Sequence, residues 1–111
     1  MHHRFDFAVM GSQGDEYRVA FEVREGGATA TCTCPAGGNR VWCKHRTSLL
    51  GGDVSRLMGG EQADLAALRD ALRGTDLETA HARTLQAEAA VVAAKRDLEA
   101  AKRALARVAA P

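Results

Sequence analysis

All three cysteines of the chain and one of its four histidines lie within a single short stretch, residues 31–45, TCTCPAGGNRVWCKH. These residues are Cys32, Cys34, Cys43 and His45. Their spacing is C-x-C, then eight residues, then C-x-H. Zinc binds four ligands in a tetrahedron, and thiolate and imidazole are its most common structural ligands. This cluster constrains the fold more than any other feature, because two pairs of side chains have to meet at one ion.

Other uses of cysteine explain the pattern less well. Three cysteines cannot all pair within one chain, and a reducing compartment disfavours disulfides. A redox pair is more naturally C-x-x-C at a helix start, and a catalytic Cys–His couple leaves the other two residues unexplained. We therefore predict one structural Zn²⁺ with all four positions filled by protein, and no enzymatic activity. The remaining histidines, His2, His3 and His81, lack neighbouring ligands.

The N-terminal half alternates apolar and polar residues with a period of two, over residues 5–9 and 17–23. This alternation predicts strands with one buried face. Turn-forming residues at 11–16 and 24–27 predict a third antiparallel strand over 28–34, on which Cys32 and Cys34 share a face.

A proline and the glycines that follow it explain how the chain returns to the cluster. Pro35 ends the third strand, and the glycines after it let the chain double back to Cys43 and His45 at the start of a short helix over 44–50. A further helical turn is expected over 54–58.

Composition changes near residue 60, after which alanine is the most common residue and supplies 17 of the 51 residues from 61 to 111. Such a sequence favours helix. We predict helices at about 62–73 and 76–110, the second opened by a capping box from Thr75 to Glu78. The predicted fold class is α+β: an antiparallel sheet of about three strands with a zinc site and a short helix in a domain over 1–60, and a helical tail over 61–111.

The long helix carries a heptad pattern, which is typical of coiled coils. When Leu77 is counted as position a, the a positions hold mostly large apolar residues and the d positions hold mostly alanine. The a column is Leu77, Thr84, Val91, Leu98 and Leu105, and the d column is Ala80, Ala87, Ala94, Ala101 and Val108. We predict a homodimer through this helix, and the alternative is a solvated tail that only a partner orders.

The cluster and its flanks also resemble a known family, the SWIM-type zinc finger. The resemblance rests on CTCP, CKH and the apolar pair in RTSLL, and covers roughly residues 17–52. It implies a strand–strand–helix zinc module that binds DNA or protein, with Cys32, Cys34, Cys43 and His45 in the four ligand places. The helix after the histidine ends early, at Gly51-Gly52. No ATPase, transposase, recombinase or kinase sequence accompanies the finger.

The proposed partner surface consists of four residues around the ligands, here called the rim residues: Arg40, Trp42, Lys44 and Arg46. Cations neutralise phosphates and an indole stacks on bases. The chain's net charge is only +1, so any basic surface is local. We predict binding to DNA or another nucleic acid as a dimer. The alternative function is a protein-interaction adaptor. The rim residues would otherwise serve only solubility, and Trp42 would cover the zinc site as part of a small core.

Two further regions bear on partners and location. The tail has an excess of cations at Lys95, Arg96, Lys102, Arg103 and Arg107, which fits either a second nucleic-acid stripe or a favourable helix C-terminus. The N-terminus has no apolar signal-peptide core and no segment is long and apolar enough to span a membrane, so we expect a cytoplasmic protein without a membrane partner.

Overall fold

A four-stranded antiparallel sheet forms the body of the N-terminal half. The computed structural model describes residues 2–59 and 62–110, with side chains from Asp64 onward in the second stretch. The strands are β1 (His3–Met10), β2 (Glu16–Arg24), β3 (Gly27–Cys32) and β4 (Leu57–Gly59), in the spatial order β3-β2-β1-β4. The helices are α1 (Pro35–Gly38), α2 (Lys44–Leu50), α3 (Gln62–Leu72) and α4 (Asp76–Ala109). The predicted α+β class is confirmed.

The predicted strands form because their alternation places every second residue in the core. In the β1–β2 register Phe5 lies opposite Phe21 and Phe7 opposite Val19. The rings of Phe7 and Phe21 meet edge to face with their centroids 6.1 Å apart. Tight turns join the strands, with Gly14 and Gly26 at φ of +83° and +74°, where glycine alone is unstrained.

The strand count differs from the expected three, because residues 57–59 form β4 instead of part of a helical turn. Asp53 accepts a hydrogen bond from the Ser55 amide at 2.9 Å, which makes a turn, and Leu57 then lies opposite Val9 of β1. The outer edge of β1 offers backbone groups that need partners, and this short segment supplies them.

The helices at 62–73 and 76–110 are confirmed to within one residue at each described end. Leu65, Leu68 and Leu72 of α3 are buried in the same core as the sheet residues. Thr75 starts α4, and its Oγ1 accepts from the Glu78 amide at 3.3 Å. The Glu78 carboxylate accepts from the Gly74 amide, one residue earlier than a standard capping box requires.

The chain divides into two compact units, Met1–His81 and Ala82–Pro111. The expected boundary at residue 60 falls inside the first unit, because α3 contributes its leucines to the sheet's core. The second unit is the rest of α4, in which no described residue is buried. Leu77, the first residue of the predicted a column, packs against the core of the first unit, whereas Val91, Leu98 and Leu105 are exposed.

None of the described helices combines the length and the apolar character that a membrane span requires.

Candidate metal centre

The first pair of cysteines lies where β3 ends and the chain turns away from the sheet. Cys32 is the last residue of β3, opposite Val19 of β2. The Thr33 amide still bonds to the Arg18 carbonyl at 3.1 Å, which holds the chain in line for one residue more. Cys34 then takes extended dihedrals and caps α1, so both thiols lie at one end of the sheet.

The turn after Cys34 is a short helix packed tightly against the strand it leaves. Cys34 Sγ accepts a hydrogen bond from the Gly37 amide at 3.4 Å. A Cβ atom on Gly37 would lie 2.0 Å from the Cys32 carbonyl oxygen, so no larger residue fits. Gly37 therefore serves the site by allowing close approach, and Pro35 starts α1 instead of only ending the strand.

The second pair is supplied by the first turn of α2. Cys43 is the N-cap of α2, with extended dihedrals and no capping bond from its side chain, which leaves the thiol available. His45 lies within the first turn of the helix. The ring of Tyr17 on β2 lies against the imidazole with centroids 5.1 Å apart and limits how the imidazole can turn.

The four ligand atoms form one cluster. They all lie within 4.8 Å of one another, and Cys32 Sγ is 3.8 Å from His45 Nδ1. Around one tetrahedral zinc ion, two sulfurs would be about 3.8 Å apart, and a sulfur and a nitrogen about 3.6 Å. The structure thus brings together all four residues that the sequence predicts as ligands.

The chemistry of the cluster supports a bound cation. The three cysteines are buried and free of disulfides, and His45 Nε2 is a buried polar atom with no hydrogen-bond partner among the described residues. A buried group of three thiols and an imidazole with so few partners is costly unless it binds a cation. One zinc ion would take up the unused bonding capacity of the three sulfurs and of one imidazole nitrogen.

In the absence of a metal, burial and neighbouring charges shift the pKa values of three ligand residues. Burial raises the pKa of the Cys32 thiol to about 12. Burial, reinforced by nearby cations, lowers the pKa of His45, which leaves its nitrogen lone pair free at neutral pH. Burial also opposes ionisation of Cys43, but hydrogen bonds from Arg46 outweigh it and lower the pKa of that thiol. Zinc would replace the proton on the sulfurs.

Comparison with known families agrees with this geometry. Residues 17–50 match the family model described as the SWIM zinc finger, which covers less than a third of the chain. This segment is a SWIM zinc finger. A search of curated proteins and a search of solved structures returned no significant match. The Cys₃His group of the SWIM finger is compatible with one structural zinc ion.

Among the rim residues, Arg46 lies elsewhere than the sequence suggested. Its side chain is buried, with 8% of its surface exposed. The guanidinium donates to Cys43 Sγ at 3.2 Å, to the Ala30 carbonyl at 3.0 Å and to the Val41 carbonyl at 2.5 Å. Arg46 points inward because a zinc ligand and two backbone carbonyls need a donor there. It therefore supports the SWIM finger from within and is not part of an outer surface.

The other three rim residues are exposed. Arg40 has a left-handed backbone with φ of +60°, and Lys44 starts α2. Trp42 is 42% exposed, and its edge is fixed because Nε1 donates to Thr47 Oγ1 at 2.6 Å. The Arg46 guanidinium lies 4.6 Å from the centre of the indole. Trp42 is thus held in place while part of its face remains accessible.

An open groove of about 600 Å³ lies over the metal centre, because three of the four ligand residues, Cys34, Cys43 and His45, line it. Trp42 and Lys44 line it together with Tyr17 and Asp15. The sequence indicated Tyr17 only as a strand residue, and its place at the start of β2, two residues after Asp15, was the available signal for a role at the groove. The groove combines aromatic rings, a cation and a carboxylate.

Proposed function

We propose that the SWIM finger binds nucleic acid through this groove, with Trp42 as a stacking surface and Lys44 as a phosphate contact. The observation that carries the proposal is the indole of Trp42, which is exposed although Thr47 and Arg46 hold it in one position. A fixed aromatic face loses little conformational entropy when a base stacks on it, and stacking is worth about 1–3 kcal/mol per base.

Zinc has a structural role in this proposal. The four protein ligands fill a tetrahedron and leave no position for water or substrate, so the ion holds β3, α1 and α2 together. We propose that the protein is not an enzyme. The three free thiols also suit a reducing compartment, which agrees with an intracellular location.

We propose further that the protein acts as a homodimer through α4. The second unit carries large apolar side chains that no described residue covers, including Leu98 at 52% exposed and Leu105 at 68%. A second copy would cover them and give two SWIM fingers, which raises the effective concentration of one finger when the other is bound.

The test is a titration of zinc-loaded protein against labelled single-stranded and duplex DNA at several salt concentrations. We expect micromolar binding that weakens steeply with salt, and quenching of the fluorescence of Trp42, the chain's single tryptophan. Trp42→Ala should weaken binding about tenfold or more, and Lys44→Ala should reduce the salt slope by about one.

The matched control is Arg24→Ala, which removes one exposed cation at the far end of β2 from Tyr17. It should change binding little. Equal losses from Lys44→Ala and Arg24→Ala would mean that the groove is not the contact surface.

A protein-interaction adaptor is the second candidate. Asp15 favours it, because a carboxylate in the groove repels phosphates and suits a basic or polar peptide. Absence of DNA binding at low salt, with Trp42 fluorescence unchanged, would leave this candidate in place of the first.

A further inference from the structure

We propose that α4 pairs antiparallel with α4 of a second copy, in the register that places Val91 beside the partner's Ala94. This inference rests on the homodimer proposed above and adds the direction and register of its helices. Its evidence is the pattern of size and charge along residues 82–109, the part of α4 in the second unit.

The apolar stripe of this segment consists of a positions with mostly large side chains and d positions with mostly small ones. The a positions Val91, Leu98 and Leu105 are 53%, 52% and 68% exposed. The d positions within the segment are alanine until Val108. Leu85 and Val92 are also exposed but lie to one side of the stripe. The stripe is thus half of a helix–helix interface.

Side-chain size decides the direction of the second helix. A parallel pair stacks a on a and d on d, so wide layers of leucine would alternate with narrow layers of alanine. An antiparallel pair stacks a on d, so each layer holds one large and one small side chain, and large-on-small layers fill space evenly. Evenly spaced layers allow the two helices to stay at one distance along their whole contact.

Two antiparallel registers stack a on d over most of the segment. The register with Val91 beside the partner's Ala101 brings the two copies of Lys95, and also the two copies of Asp97, within two residues of each other, so like charges oppose it. We therefore assign the other register, with Val91 beside the partner's Ala94. The central layers are Val91 with the partner's Ala94, Leu98 with the partner's Ala87, and Thr84 with the partner's Ala101, each present twice by symmetry. The six layers span roughly 27 Å of helix at about 1.5 Å per residue.

The charges beside the stripe agree with this register. On one flank Arg83 comes within five residues, roughly 7.5 Å along the axis, of the partner's Asp97. On the other flank Glu88 lies between the partner's Lys95 and the partner's Lys102. The two copies of Lys95 are the one approach of like charges. A parallel pair would also join opposite charges, Arg83 with the partner's Glu88 and Asp97 with the partner's Lys102. The charges therefore select the register, and the side-chain sizes alone select the antiparallel direction.

Two double variants with reversed charges distinguish the antiparallel from the parallel direction. Sedimentation equilibrium of the full zinc-loaded chain measures how strongly each variant dimerises. Arg83→Glu with Asp97→Arg keeps opposite charges together only in the antiparallel pair. Arg83→Glu with Glu88→Arg does so only in a parallel pair, where residue 83 faces the partner's residue 88. Both variants keep the net charge, and none of the three positions has a charged residue three or four places away on its own helix.

We expect the first double variant to dimerise as the unchanged chain does and the second to associate about tenfold more weakly. The reverse order, equal association of both variants, or a monomeric unchanged chain would overturn the proposal. None of these results decides whether the groove of the SWIM finger binds DNA, because Trp42 and Lys44 can make that contact in a monomer as well. A chain that binds DNA as a monomer would therefore end this inference and the homodimer on which it rests, and would leave the proposed nucleic-acid binding in place.

Discussion

Replacing Arg46 with methionine should weaken both the fold of the first unit and its hold on zinc. Methionine keeps much of the apolar stem but removes three hydrogen bonds, to Cys43 Sγ and to the carbonyls of Ala30 and Val41. Val41 is 57% exposed, so water can replace its bond, whereas Ala30 is half-buried and Cys43 is buried.

The magnitude follows from those two less exposed partners. A hydrogen bond to a charged sulfur is worth about 1.5–3 kcal/mol, and a neutral carbonyl bond about 1 kcal/mol. The contact with the Trp42 ring adds about 1 kcal/mol. The loss in unfolding free energy of the zinc-loaded protein should therefore be about 3.5–5 kcal/mol.

Zinc affinity should fall for an electrostatic reason. Three thiolates and one neutral imidazole give a zinc site with a net charge of −1, and Arg46 is the buried cation bonded to it. Loss of one charge-assisted bond to Cys43 corresponds to about tenfold weaker zinc binding. Competition with a chromophoric chelator measures the affinity, and denaturant unfolding followed by Trp42 fluorescence measures the stability.

Two variants make the test sharp. Arg46→Lys keeps the charge but loses the planar fork, so zinc affinity should largely recover while stability recovers only in part. Lys44→Met removes an exposed cation two residues away and should change both quantities little. If Arg46→Met unfolds and binds zinc like Lys44→Met, the internal role of Arg46 is refuted.

Three further changes test other parts of the structure. Removal of zinc by a chelator, or Cys43→Ala, should unfold the sheet but leave much of the α4 helicity in circular dichroism, because structural zinc supplies on the order of 10 kcal/mol, more than a core of this size nets; full strand signal and an undiminished Tm in the metal-free protein would contradict this. Gly37→Ala should cost about 1–3 kcal/mol in thermal or denaturant unfolding, because the new Cβ meets the Cys32 carbonyl, whereas Gly38→Ala, with nothing within 4 Å, should be tolerated, and similar effects of the two would rule out the close approach. Thr75→Ala should cost about 1–2 kcal/mol through loss of its bonds to Leu72 and Glu78, and Thr75→Ser should restore most of it; an alanine variant as stable as the serine one would show that the cap is unimportant.

The sequence was most informative where one period or one spacing determines the structure. Alternation placed Phe7, Val19 and Phe21 in the core, because a strand turns every second side chain to the same face. The C-x-C and C-x-H spacings identified all four ligands because few arrangements satisfy a tetrahedral ion. Helix propensity and the Thr75 cap located the start of α4.

The features that sequence reasoning missed depend on long-range contacts. Strand β4 has three residues, too few for a period, and exists because β1 offers an open edge. Arg46 is buried because its partners come from β3 and from the loop before α2, which local composition does not reveal. Leu77 fits the heptad, yet its place in the chain brings it to the core of the first unit.

The outer edge of β3 has a consequence for solubility. Three of its outward-facing groups are covered: the Ala28 amide donates to Asp76, the Ala30 carbonyl accepts from Arg46, and the Cys32 carbonyl lies against Gly37. An uncovered strand edge recruits strands from other molecules and starts aggregation. Two of these three covers, Arg46 and Gly37, belong to the segment that zinc holds in place. Loss of the metal would therefore release these two covers, and we expect partly unfolded chains in which β3 persists to associate through this edge.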